Sequence, residues 1–236
     1  MKHSSMESVS TNRRFILAAS ILLIIAGTET VHAGKVDMAA FIKSSPIRYT
    51  SDFTLPCPQP LWEHILDNPV FMGLVWRAYG FDPPYMITAR PGGFHIVDPG
   101  GLEGDLSLIE CTRQQRTYIA TGVIKNWGIP FSFRGKALFI LNHGERDGET
   151  IITFSVYGDR GDNRVTNFML HAISPLLTRL IHRRVARNIR DMGILVSDLQ
   201  NHPNIVRTKL ADTDQPAFVH FRQSYMSSSR AGAVSE

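Results

Sequence analysis

The chain has 236 residues with 25 basic and 21 acidic side chains, a net +4 that is too mild to argue for nucleic acid by itself. Two cysteines, Cys57 and Cys111, are too few for a disulfide framework. They read as two buried thiols, with a single bridge as the alternative in an oxidising compartment.

The first 33 residues read as an export signal. Lys2, Arg13 and Arg14 precede an uncharged apolar run from Phe15 to Gly27, and Val31-His32-Ala33 supplies the small residues of a cleavage site. The run is short for a membrane span. An uncleaved anchor is the alternative, and Asn12-Arg13-Arg14-Phe15 also resembles a twin-arginine signal, so the export route stays open. Cleavage after Ala33 would place the protein in the periplasm or outside the cell. The expected organisation is then a lead over 34–44, one domain over 45–202, and a flexible tail over 203–236.

Ile47 to Leu55 alternates apolar with polar residues, the period of a half-buried strand. Pro56-Cys57-Pro58 ends it, and two short helices follow: Leu61 to Asp67, then, after Asn68-Pro69, the strongly apolar Val70 to Trp76. Strands are expected at Tyr85–Arg90, Phe94–Asp98, Asp105–Arg113, Thr117–Lys125, Phe131–Asn142 and Thr150–Tyr157, separated by short turns. A long helix then opens at Ser174-Pro175, a capping serine followed by a first-turn proline. Leu177, Ile181, Val185, Ile189, Met192, Val196 and Leu199 recur at helical spacing on one face. Arg179, Arg183, Arg184, Arg187 and Arg190 are assigned to the opposite face, where Arg183, Arg184 and Arg187 are expected to meet anionic headgroups. One strand, two helices, six strands and one long helix make an α+β chain whose sheet must curl around that helix.

This order resembles the helix-grip superfamily, often called SRPBCC, of START lipid-transfer domains, birch-pollen-allergen-like proteins and polyketide cyclases/dehydrases. The resemblance rests on Ile47–Leu55 running into Pro60-Leu61-Trp62-Glu63-His64-Ile65-Leu66-Asp67, on Leu180–Asn188, and on the Asp147-Gly148-Glu149 turn. It spans Ser45 to His202. The chain departs from a minimal member in its export signal, the segment Asn163–Ile173 and the tail after Pro203. The resemblance implies a curved sheet gripping a long helix and a cavity for a hydrophobic molecule.

No zinc-binding His-Glu-x-x-His helix, Cys-x-x-Cys pair, nucleophile elbow or phosphate loop occurs in the sequence, and no cofactor or metal is expected. His95, His143 and His171 lie near predicted elements and read as structural histidines, while Glu110, in a strand of mixed pattern, is a candidate acid or base if it points inward, where burial would raise its pKa. What the chain offers is apolar wall. Trp76, Tyr85, Tyr118, Phe133, Phe139, Phe154 and Phe168 are candidate ligand-lining residues, and Trp127 is a candidate gate in the Gly-Pro loop. The pocket mouth is expected beside the two short helices, Pro99–Glu103, Asn126–Pro130 and Gly158–Arg164. The functional expectation is an exported carrier of a lipid- or isoprenoid-like molecule. A cyclase/dehydrase-like enzyme is the alternative. Arg160-Gly161-Asp162, an adhesion-ligand tripeptide, reads as coincidence.

Overall fold

The computed structural model describes residues 36–125, 133–159 and 164–233. The proposed signal segment, Trp127 and Arg160-Gly161-Asp162 lie outside them, as do the side chains of Phe133 and Phe168.

The architecture is a helix-grip-like α+β fold. A short helix α1 (Met38–Ser44) leads into β1 (Ile47–Leu55), followed by α2 (Gln59–Leu66) and α3 (Pro69–Ala78). The meander is β2 (Met86–Arg90), β3 (Gly93–Asp98), β4 (Leu102–Cys111), β5 (Gln115–Ile124), β6 (Phe133–Arg146) and β7 (Glu149–Gly158). Then come α4 (Arg164–Asn201), α5 (Pro203–Lys209) and α6 (Gln215–Ala233). The seven strands form one antiparallel sheet in the order β1-β7-β6-β5-β4-β3-β2, so β1 pairs with the last strand of the meander.

Local chemistry accounts for the punctuation. Prolines in the first turns of α2 and α3 give up amides that a helix start leaves unpaired. Gly80, with φ +68°, closes α3 while Phe81 N donates to Trp76 O and Gly80 N to Arg77 O, a Schellman end. Asp147 and Gly148 both take positive φ, the two-residue turn whose twist suits a hairpin.

The sheet's inner face follows from the registers. Leu106, Tyr118, Phe139, Leu141, Phe154 and Val156 share it and are buried. Gly104 and Gly122 face one another on that same surface. A β-carbon on Gly104 would sit 2.6 Å from Thr121 O and 2.9 Å from Gly122 Cα, so only glycine lets the two strands approach where the sheet curls. The predicted helix stripe is also realised: Leu177, Ile181, Val185, Met192, Val196 and Leu199 are buried, and Ile189 is half-buried.

Four expectations need correction. The long helix starts at Arg164, ten residues before the expected cap, and carries Pro175 inside it. Ser174, read as that cap, donates its hydroxyl to Pro46 O and fastens the helix to the start of β1. The region after Pro203 is not a featureless tail but two helices, with Phe218 and Phe221 buried in the core. Cys57 is buried, with its thiol pushed up to about 11 by burial, but Cys111 is exposed, and both are free. Finally, α2 begins at the end of the sheet bearing the tight turns, where Gln59 N donates to Glu145 Oε2. The helix pair therefore crosses from that end toward the Pro99 end. Among the described residues, no helix is long and apolar enough to cross a membrane.

Candidate functional site

Two ends of the inner face differ. At the turn end, α2 closes the sheet: Trp62, Ile65 and Leu66 are fully buried against it. At the other end, beside Pro99–Gly101, the inward residues are small or short. Gly104, Ala120, Gly122 and Ala137 lie in register with one another's strands and are only part-buried, as are Leu102 and Ile124. They share the face of Leu106 and Tyr118. Ile173 on α4 is part-buried against the core, and α1 touches β6. The result is a patch of small, part-buried apolar residues on the inner face at this end of the sheet.

A buried polar cluster lies beside it. Asp98, across the ladder from Leu102, ends β3 on the inner face. Its Oδ2 lies 3.0 Å from Arg184 Nη2, with the two side chains 0% and 1% exposed. Gly100 N donates to Asp98 Oδ1 at 2.6 Å. Arg184 Nε and Asn188 Nδ2 donate to Tyr85 Oη at 3.1 and 3.3 Å, and the guanidinium stacks 5.6 Å from that ring. Burial pushes the Asp98 carboxyl upward despite its partner. Arg184 Nη1 is buried and, among the described residues, has no hydrogen-bond partner. The cluster ties α4 to β3 and to the segment after α3.

This placement corrects the arginine assignment. Arg184 is not on the outer face; it is one of the largest fully buried side chains. Its position is one heptad after Leu177, and Asn188 is one heptad after Ile181, so both lie on the apolar face. That spacing was the available signal, and treating every arginine as solvent-facing overrode it. Arg187 is half-buried, paired with Asp82 at 2.8 Å. Arg183 is exposed, as expected.

The candidate lining residues are brought together, but as packed core. Trp76 is fully buried and donates Nε1–H to Pro83 O. Its ring meets Tyr85 at 5.9 Å. Phe139 and Phe154 stack at 6.3 Å, and Tyr49 meets Phe154 edge-on at 6.5 Å. Tyr118 is 1% exposed, and burial raises its hydroxyl pKa. These side chains belong to one buried core on the sheet's inner side.

The other polar residues fall elsewhere. His143 is buried at the turn end, and neither ring nitrogen has a partner among the described residues. Burial holds its pKa below the ordinary histidine value, with nearby Arg116 acting in the same direction and Glu63 against it. Glu110 follows a bulge in β4 and lies within 3.5 Å of Thr117 Oγ1 and Gln115 Nε2. His95 sits on the outer face, 2.8 Å from Asp105 and 3.7 Å from Glu103. His171 is exposed on α4. Among the described residues, no three His, Cys, Asp or Glu side chains converge into a metal-holding group.

No family model matches the sequence, and no curated protein matches it. Among solved structures the chain is similar to protein Mll3558 from Rhizobium loti, at 16% identity over 59% of this chain and 95% of that one, with a TM-score of 0.37. It is similar to protein Ms6760 from Mycobacterium smegmatis, at 13% identity over 65% and 91%, with a TM-score of 0.43. A third is protein jhp0584 from Helicobacter pylori, at 7% identity over 71% and 99%, with a TM-score of 0.42. The classification the molecule supports is that of its own architecture, an α+β chain of helix-grip-like form.

Proposed function

We propose that this chain is an exported, START-like carrier that holds a hydrophobic, lipid- or isoprenoid-like molecule between its curved sheet and α4. The supporting observation is the part-buried apolar patch formed by Leu102, Gly104, Ala120, Gly122, Ile124 and Ala137. A globular domain gains roughly 25 cal/mol for each Å² of apolar surface it removes from water. An inward-facing apolar patch left part-exposed is therefore the place where a ligand adds burial that the protein does not complete itself. The nearest charged groups, Asp98 and Arg184, neutralise each other and tie α4 to β3. That favours binding over the cyclase/dehydrase-like alternative, which needs a group free to exchange protons with substrate.

The test is to purify the protein without detergent, extract it with organic solvent and analyse the extract by mass spectrometry. The carrier reading expects a stoichiometric apolar compound. Protein that is consistently empty, and that takes up no apolar probe, contradicts it.

A further inference from the structure

The outer face of α4 has a composition that the carrier reading leaves unused. Residues Leu176, Arg179, Arg183, Arg190 and Ile194 are spaced three, four, seven and four apart and are all exposed. They form one stripe along the helix, opposite the buried face. Leu176 and Ile194 are each 48% exposed. At about 1.5 Å per residue they stand roughly 27 Å apart, with the three arginines between them.

Among the described residues, the stripe's arginines meet a carboxylate only at Arg190, 3.7 Å from Asp191. The acidic residues of α4 are Asp191 and Asp198. Asp191 is 8% exposed and turned inward, and Asp198 accepts the Tyr79 hydroxyl at 2.8 Å. Asp82 is engaged by Arg187. Arg190 itself is 70% exposed, and its contact is a distant one. Arg179 and Arg183 have no ion-pair partner among the described residues. A water-facing helix without a partner usually intersperses both signs of charge along its exposed side. A stripe with three exposed arginines and one buried carboxylate beside it, flanked by aliphatic side chains at both ends, suits a surface that is anionic at its plane and apolar beneath it.

We infer that the outer face of α4 docks on an anionic lipid bilayer, with Arg179, Arg183 and Arg190 meeting headgroups and Leu176 and Ile194 entering the boundary below them. Arg183 belongs to this surface; Arg184 and Arg187 do not. The docking would set α4 against the membrane plane. It is independent of whether the inner patch is occupied.

The experiment uses the full chain and sedimentation with two vesicle preparations, pure phosphatidylcholine and phosphatidylcholine with about one-third phosphatidylglycerol. The readout is the ratio of the two affinities, in which contributions common to both surfaces, including that of the apolar N-terminal run, cancel. Each basic residue near an anionic surface contributes about fivefold. Arg179→Gln/Arg183→Gln/Arg190→Gln should therefore lower the ratio by about 100-fold, with the thermal midpoint unchanged because all three side chains are exposed. A control of equal charge loss, Arg90→Gln/Arg113→Gln/Arg146→Gln at exposed strand and turn positions, should keep the ratio. Leu176→Ser/Ile194→Ser should abolish the binding to anionic vesicles that survives high salt. Equal loss in the control would make net charge the cause and overturn the proposal. So would an unchanged ratio in the α4 triple variant. Unaltered high-salt binding in the serine variant would leave a general polyanion surface, and the bilayer assignment falls.

Discussion

The two ends of the sheet's inner face are built from the same alternation but finished differently. At the turn end, large side chains such as Trp62, Tyr118 and Leu141 fill the space and α2 seals it. At the Pro99 end, glycine and alanine stand at the equivalent inward positions, and the apolar surface stays part-exposed. One end is closed by large side chains; at the other, a buried ion pair ties α4 to β3 beside small, part-buried residues. The comparison teaches that the apolar character of an inward strand position does not by itself separate core from site. Side-chain size in register across neighbouring strands does.

The largest expected effect breaks the tie beside the small-residue end. Asp98→Leu leaves Arg184 buried without its carboxylate, which should cost about 3–5 kcal/mol in denaturant unfolding. Asp98→Leu/Arg184→Met should recover most of that loss, because replacing both members of a buried pair with apolar groups is close to neutral. A double variant no more stable than Asp98→Leu would show that the cluster's value lies in its hydrogen bonds to Tyr85 rather than in the pairing.

Next comes the buried stripe of α4. Met192 is fully buried, so Met192→Ala should cost about 2–5 kcal/mol. Ile189 is only half-buried and Ile189→Ala should cost less. Reversed magnitudes would mean that α4 is rotated from the orientation described.

A smaller effect belongs to the closed end. Burial holds His143 below the ordinary histidine value of 6.5. The unfolded chain then binds more protons than the folded one as pH falls through that value, so stability present above it is lost below it. His64, on α2 with its ring against Phe221, is also lowered by burial and adds in the same sense. The thermal midpoint should fall between about pH 7.5 and about pH 5.5, and His143→Leu should flatten part of that slope. An unchanged slope in His143→Leu would assign the titration to His64 or elsewhere.

Much of this architecture was legible in the sequence because it rests on simple periods. Ile47–Leu55 and the six later strands alternate, and the apolar stripe from Leu177 to Leu199 recurs at helical spacing. The misses were places where one strong local signal hid a weaker one. Ser174-Pro175 looks like a helix start, yet the helix passes through it from Arg164. Arg184 carries a charge, and its heptad relation to Leu177 was the fainter sign of burial. The serine-rich stretch from Ser224 suggested a loose tail, although Phe218, Phe221 and Tyr225 stand at helical spacing. Phe221 stacks on Phe71 at 4.4 Å. The site itself was only partly legible. The aromatic residues Trp76, Tyr85, Tyr118, Phe139 and Phe154 are packed core, whereas the part-buried inward patch is made by residues too small to attract notice: Gly104, Ala120, Gly122 and Ala137.

The most direct measurement fills that patch. Ala120→Leu/Ala137→Leu should fill it from the sheet side at a modest cost in stability, about 1–3 kcal/mol for overpacking. Titration with cis-parinaric acid, followed by its fluorescence, should show saturable binding to the wild type and at least a tenfold loss in the filled variant, with circular dichroism unchanged. Equal binding by both proteins would contradict the account, because the ligand would then have to lie away from the Pro99 end of the sheet.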